Sequence, residues 1–167
     1  MRTLVTLLGL AMLLLLSLHA APSEARAVDE RAMLADIDLF LGDPVGASAD
    51  LRKAVLAHAE EHSDANVVID QGVAFWFGDE QPYAAADIVL LGYIAGSFRS
   101  QLETHVWRDD PYSGLLQVAR VYRALRKKDA KFVHARLDEL AKDHEEGKLA
   151  ARAAKVESAR AKPADAK

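Results

Sequence analysis

Beyond residue 27, apolar residues recur at three- and four-residue spacing along nearly the whole chain, and only one short run breaks the habit. That spacing belongs to helices that bury one face. Met33, Leu34, Ile37, Phe40 and Leu41 form the first such stripe, closed by Gly42 and Asp43-Pro44. Ser48 offers an N-cap for a short helix carrying Leu51, Val55 and Leu56 and ending near His62. Pro82 opens the most hydrophobic stretch, in which Asp87 is the only charge between Tyr83 and Phe98. Gly92 and Gly96 share one face of it. Each costs about 1 kcal/mol of helix propensity relative to alanine, a loss that the close approach of another helix offsets. Asp110-Pro111 reads as a helix start, an acid at the N-cap and proline at the first helical position. Leu115, Val118, Tyr122 and Leu125 line the face that follows, and Asp129 can cap a last helix with Phe132, Val133, Leu137 and Leu140.

The exception is residues 67–77, which begin Val67-Val68-Ile69 and favour a strand by β-branching. No second strand-like run exists to pair with it, and a lone strand leaves its backbone groups unsatisfied. The reading is therefore a buried helix. The expected fold is all-α, an irregular bundle of five to six helices spanning residues 28–147. After Gly147 the chain turns to Ala, Lys, Arg and Glu with hardly any large apolar residue. Residues 148–167 are thus expected to be a flexible tail.

Residues 1–27 have a different character. Arg2 supplies a basic start, Leu4 to Leu18 is almost unbroken aliphatic sequence, and Ala25-Arg26-Ala27 offers a small-x-small cleavage site. This is the layout of a secretory signal peptide, with a second candidate site after Ala20. The apolar run falls short of the roughly 20 residues that a membrane-spanning helix needs, so an uncleaved signal anchor is the lesser alternative. The chain holds no cysteine, which excludes a lipid-modified N-terminal thiol and any disulfide framework. The expectation is an exported protein, periplasmic or secreted, held together by packing and without a stable membrane span after cleavage. Charge is unevenly placed. Residues 28–95 hold three Lys/Arg against thirteen Asp/Glu, and residues 96–167 hold sixteen against eleven. Packing of one half on the other is the simplest use of such polarity, and a basic face for an anionic partner is the other.

The sharpest local motif is His58-Ala59-Glu60-Glu61-His62, which resembles the H-x-x-E-H of inverted zinc peptidases. Histidines four apart on a helix share a face and can share a zinc ion. The resemblance, confined to five residues, implies Glu61 as general base and a distant glutamate as third ligand. Glu139 lies at a suitable separation, with His134 and Asp138 as substitutes. Composition alone reads the same stretch as a solvated helix end. A second resemblance covers about thirty residues: Gly72, Ala74, Phe75, Gly78-Asp79 and Ala84 or Ala85 are similar to the small and aromatic positions of one tetratricopeptide unit. It implies a helical hairpin that binds protein partners.

Three further sets are candidates for binding. Trp76 and Tyr83 can line a groove at that hairpin. Asp87, a carboxylate on an apolar helix, is either a ligand anchor or the partner of an arginine such as Arg99 or Arg120. Arg120, Arg123, Lys127 and Lys131 form a basic stripe opposite the apolar face of their helix. No interleaved aromatics accompany the stripe, so nucleic acid is not an expected partner. There is no G-x-S-x-G, phosphate loop, dinucleotide fingerprint or cysteine nucleophile. Together these features lead to an exported, non-enzymatic binding or scaffold module with no cofactor. The alternatives are a small zinc-dependent hydrolase and a tetratricopeptide-like interaction hairpin.

Overall fold

A computed structural model describes residues 21–78 and 84–162. The described residues form six α-helices and one 3₁₀ turn, with no strand. In chain order these are α1 (Ala21–Gly42), α2 (Ala49–Glu61), the 3₁₀ turn (Phe75–Gly78), α3 (Ala86–Thr104), α4 (Pro111–Lys128), α5 (Ala135–Glu145) and α6 (Leu149–Arg160). The chain divides into two compact units, Met1–Met33 and Leu34–Lys167. Of the first, the described part is the opening of α1. The expected leader lies outside the described residues except for its last seven, and no described helix is long and apolar enough to cross a membrane.

The second unit is an irregular helical bundle built on α3 and α4. Ten residues of α3 are buried, as its composition requires, and α4 buries Leu115, Val118, Val121, Tyr122 and Leu125 along one stripe. The glycines set the spacing of this pair. A Cβ at Gly92 would stand 2.8 Å from Val121 Cγ2, and one at Gly96 would stand 2.5 Å from the backbone oxygen of Ser113. Both contacts are too short for a side chain as the helices stand, so at Gly92 the Val121 side chain packs onto the α3 backbone and at Gly96 the α4 backbone itself does. Leu137 and Leu140 of α5, Leu149, Ala153 and Val156 of α6, and Val73 and Trp76 from the connection complete the core. Ile37, Phe40, Val55 and Phe98 are also fully buried.

Local signals place the helix ends as expected in three cases. Alpha1 stops at Gly42. Ser48 Oγ accepts the Leu51 N–H at 3.1 Å and starts α2. Asp110 Oδ1 accepts the Ser113 N–H at 3.1 Å, one residue before Pro111 takes the first position of α4. Asp129 behaves differently. Its backbone N–H bonds to Leu125 O at the end of α4, and its carboxylate takes the Lys131 N–H at 2.9 Å. The chain therefore turns through residues 130–134, and α5 starts only at Ala135.

Residues 67–77 are not a helix. They run extended to Asp70, turn through Gln71–Val73 and reach the 3₁₀ turn. Side chains replace the missing neighbouring strand. The Gln101 amide on α3 accepts from Asn66 N at 2.9 Å and donates to Asn66 O at 3.0 Å. Arg160 Nη2 donates to Val68 O at 2.9 Å, and Asp70 Oδ1 accepts from the N–H groups of Gly72 and Val73. The backbone groups of this segment are met not by helix bonds but by side chains arriving from far along the chain. With no first helix, the tetratricopeptide-like hairpin does not form. Nor is the segment after Gly147 a free tail: Gly147, at φ +71°, ends the α5 connection, and Leu149–Arg160 folds as α6 with three buried residues against α4.

Candidate functional site

Two regions concentrate polar side chains, and they differ in what is left over. The first is a buried network around Asp109, whose residue surface is 6% exposed. Asp109 Oδ2 accepts from the Tyr93 hydroxyl at 2.7 Å and from Arg160 Nη1 at 2.5 Å, and Oδ1 accepts from Ser97 Oγ at 2.7 Å. Ser97 Oγ in turn accepts the Asp110 N–H at 2.9 Å. Arg160 also donates from Nε to Asp70 Oδ2 at 2.6 Å. Burial and the Asp109 charge push the Tyr93 hydroxyl well above its ordinary value. Burial raises the Asp70 carboxyl, but the hydrogen bond and charge of Arg160, with the N–H groups of Gly72 and Val73, outweigh it and hold the group below the usual range. Burial also raises Asp110, and bonds from Ser113 and Ser100 overcome it, so that carboxyl too is lowered. The acceptors are met by internal donors, so this network fastens α3, α6 and the extended segment together. Fully satisfied networks of this kind specify a structure.

The second region is a cleft of about 640 Å³, within the usual size for small-ligand sites of about 300–1,000 Å³. It lies between the 3₁₀ turn, α5 and α6 and is lined by Gln71, Ala74, Phe75, Phe77, Arg136, Glu139 and Arg152. The turn sets its aromatic side: Trp76 points into the core while Phe75 and Phe77 flank it, Phe77 being 54% exposed. Arg136 holds the turn in place by donating Nη1 to Phe75 O. The Arg152 guanidinium lies 4.7 Å from the centre of the Phe75 ring, in cation–π geometry. Its Nη1 donates to Asp143 Oδ2 at 2.8 Å. Among the described residues, the other Arg152 nitrogens have no acceptor, and Glu139 has neither hydrogen bond nor ion pair. Here Arg152 and Glu139 stand beside aromatic walls with bonding capacity unused among the described residues.

The residues singled out from sequence are distributed as follows. His58 and His62 are engaged by different neighbours. His58 Nε2 bonds Asp36 Oδ2 at 2.9 Å, and the His62 ring stacks on Trp107 with centres 4.6 Å apart. Glu61 is exposed at the end of α2. Glu139 belongs to the cleft, and no three His, Asp or Glu side chains among the described residues are grouped to hold a metal. Trp76 lines no groove. It is 1% exposed, with Nε1 lacking a hydrogen-bond partner among the described residues. Tyr83 lies outside the described residues. Asp87 is exposed in the first turn of α3, where the helix N-terminus favours an acid. Arg99, its expected partner, pairs instead with Asp38 at 2.7 Å and Glu103 at 2.8 Å. The basic stripe is broken up: Arg123 donates to Ala141 O and to Glu145, and Lys131 lies beyond α4, leaving Arg120 and Lys127 exposed.

Sequence reasoning missed Asp109, Arg136, Arg152 and Arg160. The basic-half and acidic-half imbalance was the available signal, since the Arg160–Asp70 and Arg99–Asp38 pairs both cross between the halves. Compared with known proteins, the chain matches no family model, no curated protein and no solved structure. Fold and cleft define the class alone, an all-α bundle with one open aromatic and charged recess.

Proposed function

We propose that this is an exported, non-catalytic binding module whose ligand surface is the cleft between the 3₁₀ turn, α5 and α6. The observation that carries the reading is the pairing of Phe75 and Phe77 with Arg152 and Glu139, which line one cavity of ligand size. Ligand sites typically combine apolar walls with a few convergent polar groups. Support for the absence of catalysis comes from the histidines, each engaged by a neighbour rather than by the other. Export rests on residues 1–27.

An NMR fragment screen on the purified protein tests the binding reading. Bound fragments are expected to shift the resonances of Phe75, Phe77, Glu139 and Arg152 together, and a screen whose hits all fall elsewhere refutes it. Cell fractionation with N-terminal sequencing tests export, with the expected product beginning at Val28 or Ala21 outside the cytosol. Recovery of the intact chain from the cytosol alone defeats that half of the proposal.

A further inference from the structure

We infer that the cleft takes a small zwitterion with an apolar body, of the α-amino acid class. The inference rests on the proposed binding role of the cleft and adds the chemistry of its ligand. Three features of the walls select that chemistry. Arg152 presents guanidinium N–H groups that no described residue accepts, and a planar fork of such donors matches a carboxylate. Glu139 presents an exposed carboxylate with no partner among the described residues, the complement of an ammonium group. Phe75 and Phe77 supply flat apolar surface beside them, much of Phe77 being open to solvent.

Arg152 and Glu139 line one cavity, together with Arg136, without pairing with each other, and Arg152 keeps donors beyond the one that Asp143 takes. A ligand with only a carboxylate meets Arg152 but is opposed by Glu139, and a ligand with only an amine meets the reverse. A neutral apolar ligand desolvates both charges and compensates neither. A molecule bearing both signs on an apolar body is the class that meets both the unused Arg152 N–H groups and the Glu139 carboxylate. Stacking on Phe75 and the bond to Asp143 hold the Arg152 head in position beforehand, which lowers the cost of ordering it on binding.

Calorimetric titration of the purified full chain with L-phenylalanine, N-acetyl-L-phenylalanine, L-phenylalaninamide and the dipeptide Phe-Phe tests this. L-Phenylalanine is expected to bind about tenfold more tightly than either blocked analogue, the size of one charge-assisted hydrogen bond. Glu139→Gln should bring L-phenylalanine and its N-acetyl form to equal affinity. Arg152→Lys, which keeps the charge but loses the fork, should weaken L-phenylalanine and narrow its lead over the amide. Circular dichroism verifies that both variants fold, and Glu139 is exposed enough that its variant carries the test if Arg152→Lys does not. Preference for Phe-Phe over the free amino acid identifies a peptide as the source of the zwitterion. Equal affinity for all probes overturns the zwitterion while leaving the cleft a binding site. Absence of heat with every probe also overturns it, and the fragment screen then decides separately whether the cleft binds anything.

Discussion

The α3–α4 pair and the docking of α6 solve the same problem by opposite means. Alpha3 and α4 meet through a dense apolar stripe and two glycines, and at Gly96 backbone nearly touches backbone. Alpha6 brings only Leu149, Ala153 and Val156 to the core, a thin stripe for twelve residues. Its C-terminal end is fastened by Arg160, which reaches Asp70, Asp109 and Val68 O at once. The first interface tolerates loss of no space. The second tolerates loss of no charge. Apolar packing resists by volume, whereas a buried ion network resists because each partner left alone is costly.

That contrast can be broken at its centre by Asp109→Ala. It takes away one of the two carboxylates that Arg160 holds and leaves the buried Tyr93 and Ser97 hydroxyls without their acceptor, and an expected loss of about 2–5 kcal/mol is measurable by urea unfolding. Gly96→Val attacks the other interface. Its new methyl groups must displace the Ser113 carbonyl, at an expected cost of about 1–3 kcal/mol or more in the same assay. Arg160→Gln sharpens the distinction, since about 2 kcal/mol of charged hydrogen bonding should be lost. Hydrogen exchange is expected to speed up in α6 and in residues 66–73 while α3 and α4 stay protected.

Acid should act on the network and spare the glycine contact. Asp70 has a lowered native carboxyl value, so its contribution is complete above the ordinary carboxylate range of about pH 4 and declines as pH falls through that range. The stability difference between the wild type and Asp70→Asn should hold constant above about pH 5 and shrink below about pH 4. The smallest effect is expected at His58. His58→Ala removes one half-exposed bond to Asp36 and should cost less than about 1 kcal/mol by thermal melting.

Helix spacing and caps were readable because they depend on residues three or four positions apart. Ser48, Asp110 and the α4 stripe all act over such distances. The packing role of Gly92 and Gly96 was readable for a related reason, since an interior helical glycine has few other uses. The fate of residues 67–77 was hidden because Gln101 and Arg160, 35 and 92 positions from their backbone partners, decide it. Alpha6 was misread for the same cause, its composition giving no hint that Asp70 and Asp109 were waiting for an arginine. In the cleft, Glu139 drew notice for a metal role it does not share with His58 and His62, while Arg152 looked like one more charge in an alanine-rich stretch.

The reach of Arg160 also sets an order of events. A chain emerging N-terminus first presents Asp70 and then Asp109 long before their common counterion, which follows 90 and 51 positions later. Until that arginine arrives, a carboxylate destined for the interior must stay wet, and the extended segment beside it lacks one of its closing bonds. Final consolidation is thereby timed to the delivery of residue 160, whatever machine does the delivering.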